Sequence, residues 1–69
     1  MPKANLYFTV SKIDNKNHSI EFEDKVFSFF ITISTKQQEI KKVTVTESYK
    51  ALIEYIDGTE ELLAILEDD

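Results

Sequence analysis

Hydrophobic and polar residues alternate through the first two thirds of this chain, and a two-residue period is typical of half-buried β-strands. Polar turn signals separate the alternating stretches, as at Asp14–Asn17 and Thr35–Gln38. The pattern therefore predicts a small antiparallel sheet in which consecutive strands follow one another as a meander. The four predicted strands cover residues 4–13, 19–23, 25–35 and 40–46.

The third predicted strand is the most hydrophobic, and we expect it to be the central strand of the sheet. Four of its residues are predicted to face the core: Phe27, Phe29, Ile31 and Ile33. Val26 and Phe30 then lie on the opposite face, together with Tyr7 of the first strand. Exposed apolar residues on a sheet mark interfaces. Tyr7, Val26 and Phe30 are therefore a candidate face for self-association. The fourth strand carries Lys41 and Lys42, which suit an edge position.

The spacing of hydrophobic residues changes after residue 46. Tyr49, Leu52, Ile53 and Ile56 recur at the intervals of an amphipathic helix. Asp57-Gly58 can end that helix, and Thr59 can cap a second one. We therefore predict an α+β fold: a four-stranded antiparallel sheet, meander-like, with one or two C-terminal helices packed on one face. Residues 1–69 are predicted to form a single small domain, with the sheet in 4–46 and the helices in 47–67.

Residues 49–66 also allow two other structures. One helix could continue through Gly58, at a cost of about 1 kcal/mol relative to alanine. Alternatively, Asp57-Gly58 between two apolar runs is a strong hairpin signal. We rank two helices first, the continuous helix second and the hairpin third, because the helical spacing in residues 49–56 is clearer than any alternation there.

Charge is distributed unevenly along the chain. All eight lysines lie within residues 1–50, whereas residues 51–69 hold seven carboxylates and no cation, and the net charge is −5. Such a field attracts a basic partner and repels nucleic acid and anionic membranes. The candidate partner-binding residues are the following: Glu54, Asp57, Glu60, Glu61, Glu67 and Asp68.

A continuous helix would arrange several of these acidic residues in a row about 20 Å long, given the 1.5 Å rise per residue. Such a row could imitate a phosphate backbone and occupy the basic groove of a nuclease, repair enzyme, polymerase or CRISPR effector. Small acidic phage proteins often act in this manner. This analogy is one of size and charge alone.

The chain has few residues suited to catalysis or metal binding. It contains no cysteine or tryptophan and one histidine. A serine nucleophile would need His18 as its base, but His18 falls in a turn where we expect a solvated side chain. Asp14–Asn17 begins like a calcium loop, yet Lys16 occupies a position that requires an oxygen ligand. We therefore predict no enzymatic activity, no metal and no cofactor.

The predicted function is stoichiometric binding by a small acidic inhibitor or adaptor that engages a basic protein surface, of the phage anti-host or toxin-neutralising type. The alternative is a structural or assembly protein that forms a homodimer or larger homo-oligomer through the exposed sheet face. We expect a cytoplasmic location and no membrane contact, because the apolar runs are far shorter than the roughly 20 residues of a membrane span and the N-terminus lacks a signal-peptide pattern.

Overall fold

The computed structural model describes residues 7–46 and 49–66, and in these ranges it contains six β-strands and no α-helix. The strands form two three-stranded antiparallel sheets, ordered β1-β2-β3 and β4-β5-β6. No helix in the described part of the chain is long and apolar enough to cross a membrane. The strands are β1 (Phe8–Asp14), β2 (Ser19–Asp24), β3 (Phe29–Ser34), β4 (Ile40–Val45), β5 (Lys50–Tyr55) and β6 (Glu60–Ala64).

The predicted α+β class is wrong, because residues 50–64 form a β-hairpin where the sequence analysis placed helices. The hairpin was the third-ranked alternative. Its turn uses Asp57-Gly58 as the hairpin signal suggests: Gly58 has φ +90°, and the Asp57 carboxylate accepts the Thr59 N–H at 2.9 Å. A left-handed φ is costly for residues with a Cβ and cheap for glycine, so this dipeptide favours the turn over a helix.

Two connections within the first sheet use the same device. Asp14 and Asp24 each end a strand, and one carboxylate oxygen of each accepts the N–H groups two and three residues later. Each loop has four residues and ends on a residue with positive φ, His18 at 55° and Ser28 at 59°. Aspartate therefore fixes where these strands stop, by supplying the hydrogen-bond acceptor that the turning backbone needs.

The core lies between the inner faces of the two sheets. Register places Ile20 and Phe22 of β2 on the inner face of the first sheet, and Ala51, Ile53 and Tyr55 of β5 on that of the second. Both strands are the central strand of their sheet. Each sheet therefore supplies the apolar layer that the other sheet requires, the role that the sequence analysis gave to helices. The buried cluster comprises Phe8, Ile20, Phe22, Ile40, Ala51, Ile53, Tyr55 and Ile65.

The expectation that the third strand is central is also wrong, since β3 lies at the edge of its sheet and β2 is central. Phe29, Ile31 and Ile33 do lie on the inner face: Ile31 and Ile33 are opposite the core residues Phe22 and Ile20, and Phe29 is opposite the buried Asp24. Phe27 does not, because the Asp24 loop delays the start of β3 until Phe29. The predicted edge position of β4 is confirmed, and its lysines are exposed.

Candidate functional site

The β5–β6 hairpin carries four of the six predicted acidic residues, and we call it the acidic hairpin: Glu54, Asp57, Glu60 and Glu61. Glu54 and Glu60 are directly opposite each other and so share one face of the second sheet. The next pair toward the turn is hydrogen-bonded, with the Tyr55 N–H donating to the Thr59 carbonyl at 2.9 Å. Hydrogen-bonded and non-hydrogen-bonded pairs alternate along an antiparallel ladder. Glu54 and Glu60 are therefore a non-hydrogen-bonded pair, whose Cα atoms are about 4.5 Å apart.

This pairing opposes the stability of the hairpin, because like charges directly opposite each other across strands repel. Lys42 of β4 lies opposite Glu54 on its other side. The ion pairs of the described residues nevertheless involve Glu23 and Asp57 rather than Glu54 or Glu60. Among the described residues, neither Glu54 nor Glu60 forms an ion pair, and the two carboxylates lie side by side on the outer face of the second sheet.

Exposed leucine lies beside these carboxylates. Leu62 follows Glu60 by two residues on the same face of β6 and is 55% exposed, and it is opposite the half-buried Leu52 of β5. An apolar side chain beside charged groups is the composition of many protein-binding surfaces, where apolar contact adds affinity and charge adds selectivity. We call Glu54, Glu60, Leu52 and Leu62 the outer β5–β6 surface.

Asp57 and Glu61 have structural partners and lie apart from the outer β5–β6 surface. Asp57, in the turn, accepts hydrogen bonds from Thr59 and is 3.7 Å from the Lys36 ammonium group. The hydrogen bonds from Thr59 lower the pKa of Asp57, and the lysine charge acts in the same direction. Glu61 is on the inner face opposite Ile53, where it accepts the Tyr55 hydroxyl at 2.6 Å.

The Tyr55 ring anchors the linker between the two sheets. Lys36 lies 4.7 Å above the ring centroid, at cation–π distance, and its ammonium group also donates to the Thr59 hydroxyl. Burial raises the pKa of the Tyr55 phenol, and the hydrogen bond to Glu61 adds to the shift. The turn end of the acidic hairpin is therefore held in place by specific side-chain contacts.

The row of carboxylates along a continuous helix is not formed, because its residues lie on strands and in a turn. Glu54 and Glu60 are brought together, whereas Glu61 points to the other face and Asp57 lies at the tip. Glu67 and Asp68 lie outside the described residues. The acidic set as a partner-binding site stays a prediction.

The loop between β2 and β3 forms a second candidate surface, which we call the aromatic hairpin: Val26, Phe27, Phe29 and Phe30. Phe27 is 74% exposed, Phe30 56% and Val26 52%. Phe30 lies on the outer face, directly opposite Glu23, as its predicted orientation requires. Tyr7, the third residue of the predicted self-association face, is 37% exposed at the start of β1. Phe29 and Phe30 are on opposite faces of β3, so the aromatic hairpin is an exposed apolar end of the first sheet rather than a patch on one face. Exposed apolar surface of this kind marks a candidate interface.

Asp24 holds the aromatic hairpin in place, a role that was not predicted from the sequence. Its side chain is buried, and one oxygen accepts the Val26 N–H at 2.7 Å and the Phe27 N–H at 3.1 Å. A usable sequence signal was the repeat of aspartate at the end of two successive alternating stretches, at Asp14 and Asp24.

The remaining polar groups do not assemble into a reactive centre in the part of the chain that is described. His18 is half-buried rather than solvated, and its shielded Nδ1 has no hydrogen-bond partner. Within the described ranges, no group of three or more His, Cys, Asp or Glu residues is placed to hold a metal ion. The described residues therefore present two candidate surfaces, the outer β5–β6 surface and the aromatic hairpin.

Comparisons with known proteins identify no relative. No protein-family model matches the chain, and searches of curated proteins and of solved structures give no significant match.

Proposed function

We propose that this protein is a non-catalytic binding module that acts in the cytoplasm as an inhibitor or adaptor, and that it engages a basic protein through the outer β5–β6 surface. The supporting observation is the placement of Glu54 directly opposite Glu60, with no ion pair to either carboxylate from residues 7–46 and 49–66. An arrangement that costs stability is a common mark of a surface kept for binding. A cationic partner would neutralise both groups at once.

The partner's chemistry follows from the surface. Lysine or arginine side chains would meet the two carboxylates, and an apolar side chain would cover Leu62. Direct binding of nucleic acid is disfavoured, because phosphates would approach a protein with a net charge of −5. Rim charges at such an interface act mainly on association rate and salt dependence, so we expect capture to weaken steeply with salt.

The test is the double substitution Glu54→Gln with Glu60→Gln. Removing the repulsion should leave stability unchanged or raise it by up to about 1 kcal/mol. Capture of the partner from a lysate of the source cells, quantified by mass spectrometry, should fall at least tenfold. Loss of binding without loss of stability separates a binding role from a structural one.

The matched control is Glu21→Gln with Glu23→Gln, on the outer face of the first sheet. It changes the net charge by the same amount, and it should retain the partner. Equal losses from both variants would mean that net charge alone governs binding. A partner that remains bound to the Glu54→Gln, Glu60→Gln protein would refute the proposal. So would a partner that stays bound to the natural sequence in 0.5 M salt, where the Debye length is about 4 Å.

The exposed aromatic hairpin favours a second candidate function, assembly of copies of this chain. Val26, Phe27 and Phe30 are exposed together at one end of the first sheet, where they give no support to the core. A dimer formed through this patch would dissociate on substitution of Phe30 by aspartate. An unchanged mass for that variant in sedimentation would remove this second candidate.

A further inference from the structure

The strand β3 differs from the other edge strands of the two sheets. Natural edge strands avoid pairing with other chains by carrying charges, proline or a bulge. The other three edge strands have such features: β1 has Lys12 and a register shift, β4 has Lys41, Lys42 and a register shift, and β6 has Glu60 and Glu61. In contrast, β3 has the sequence FFITIS, no charge, no proline and a regular ladder with β2.

The alternation of the ladder shows which main-chain groups of β3 face outward. The Thr35 N–H donates to the His18 carbonyl at 2.8 Å, one position beyond the end of the β2–β3 ladder. Hydrogen-bonded pairs recur every second residue, so Phe29, Ile31 and Ile33 bond to β2. The N–H and C=O groups of Phe30, Thr32 and Ser34 therefore point toward the open edge of the sheet.

A second copy of the chain is the occupant that suits this edge. Residues 26–35 contain no charged residue, so no like charges meet in any antiparallel pairing of β3 with itself. The nearest acidic side chains on the outer face are Glu21 and Glu23 of β2, opposite Thr32 and Phe30. Across a paired edge, these carboxylates and those of the copy would lie at least three strand spacings apart, about 14 Å. That separation exceeds the Debye length of about 8–10 Å at physiological salt, so the net charge opposes the contact only weakly.

We propose that β3 pairs antiparallel with β3 of a second copy, about a two-fold axis at Ile31, and so joins two first sheets into one six-stranded sheet. This register puts the outward-pointing N–H and C=O groups of Phe30 opposite those of the copy's Thr32. The two-fold axis repeats the same hydrogen-bonded pair between Thr32 and the copy's Phe30. Phe29 meets the copy's Ile33 on the inner face. In this alignment even-numbered residues pair with even-numbered residues and odd with odd. Outer-face side chains therefore meet outer-face side chains, and inner-face side chains meet inner-face side chains.

This pairing specifies how the second candidate function, assembly of copies of this chain, would take place. It rests on that candidate function and not on the outer β5–β6 surface. At roughly 200 Å² for a whole phenylalanine side chain, the aromatic hairpin exposes about 400 Å² of apolar surface per copy. A standard interface buries about 800 Å² per partner. We therefore expect a dimer that dissociates in the micromolar range rather than a permanent one.

The first experiment measures mass by sedimentation over a range of concentrations up to about 200 µM, which spans micromolar dissociation constants. The 8.0 kDa chain should shift toward twice that mass. Thr32→Lys should weaken the dimer at least tenfold, because it places a charge against the copy's Phe30. The variant should still fold, since residue 32 is exposed and lies opposite Glu21. Thr44→Lys, on the exposed face of the edge strand β4, is the matched control and should dimerise normally.

The second experiment tests the register with single cysteines, since the chain has none of its own. Ile31→Cys places two thiols at the two-fold axis in a non-hydrogen-bonded pair, where Cα atoms about 4.5 Å apart permit a disulfide. Mild oxidation should give a covalent dimer. Ser34→Cys is the control, because its two copies would lie about 20 Å apart along the strands.

The outcomes separate this pairing from the functions proposed above. A mass of one chain at every concentration, or equal cross-linking through positions 31 and 34, would overturn the pairing. If Phe30→Asp dissociates a dimer that Thr32→Lys leaves intact, the aromatic hairpin assembles in another way and the edge pairing is wrong. None of these variants alters Glu54 or Glu60, so capture of a basic partner provides an independent readout of the first function.

Discussion

Replacing Phe22 with alanine is expected to remove about a third or more of the stability of the fold. Phe22 is fully buried on the central strand of the first sheet, between the two layers. Truncation of a buried phenylalanine to alanine costs about 3–5 kcal/mol. A domain of this length has a total unfolding free energy of roughly 3–10 kcal/mol. The lost packing is therefore a large fraction of the stability of the fold.

Urea denaturation followed by circular dichroism measures this effect, and Phe30→Ala is the matched control. The control makes the same chemical change on the outer face of β3, where the side chain is 56% exposed. Its midpoint should stay close to that of the natural sequence when measured at low protein concentration. If Phe22→Ala instead unfolds cooperatively at the natural midpoint, the two inner faces do not form the core described above.

Replacing Asp24 with alanine is expected to destabilise the fold by about 1–3 kcal/mol and to release the aromatic hairpin. The substitution removes the buried Asp24 carboxylate and leaves the partly buried Val26 and Phe27 N–H groups without their acceptor, and the loss of such hydrogen bonds carries a penalty of this size. Asp24→Asn keeps an acceptor oxygen and should cost less. Urea denaturation gives the stability change, and amide hydrogen exchange at residues 26 and 27 reports the local opening.

Asp14→Ala provides the comparison for Asp24, because Asp14 caps the preceding loop in the same manner but in an exposed setting. Water can replace the carboxylate there, so we expect a smaller loss of stability. Equal losses at the two positions would show that burial of Asp24 adds nothing. Unchanged exchange at residues 26 and 27 in Asp24→Ala would show that the carboxylate does not hold the hairpin.

Alternation predicted the first four strands well because each has a one-sided apolar row. Phe8 and Val10, then Ile20 and Phe22, lie on inner faces as the two-residue period requires. The period alone could not place strand boundaries. The start of β3 depends on the Asp24 carboxylate, which keeps Val26 and Phe27 in the loop. A long hydrophobic run beside an aspartate therefore conceals where a strand begins.

The last third was predicted wrongly because two periods coexist in residues 49–56. Helical spacing emphasised Leu52 and Ile56, yet Leu52 lies on the outer face and Ile56 is exposed in the turn. The residues that face the core alternate instead, as Ala51, Ile53 and Tyr55. Alanine is a weak hydrophobic signal and a good helix former, so its burial in a strand is decided by packing between sheets rather than by local preference.

The acidic set was identified from composition, but its arrangement required the structure. Charge segregation indicated acidic residues within 54–69 and their sign. Only strand register brings Glu54 opposite Glu60, turns Glu61 toward Tyr55, and places Leu62 beside the carboxylates. The proposed partner surface is therefore smaller than a helical row and partly apolar.

The most direct test of this account is the nuclear Overhauser contact between the Hα protons of Glu54 and Glu60. A non-hydrogen-bonded antiparallel pair holds these two protons close together, so a strong cross-strand contact is expected, with extended backbone shifts through Lys50–Tyr55. A helix would instead give contacts from the Hα of Leu52 to the amide of Tyr55, three residues on. Those contacts, without the one between Glu54 and Glu60, would contradict the hairpin and the partner surface built on it.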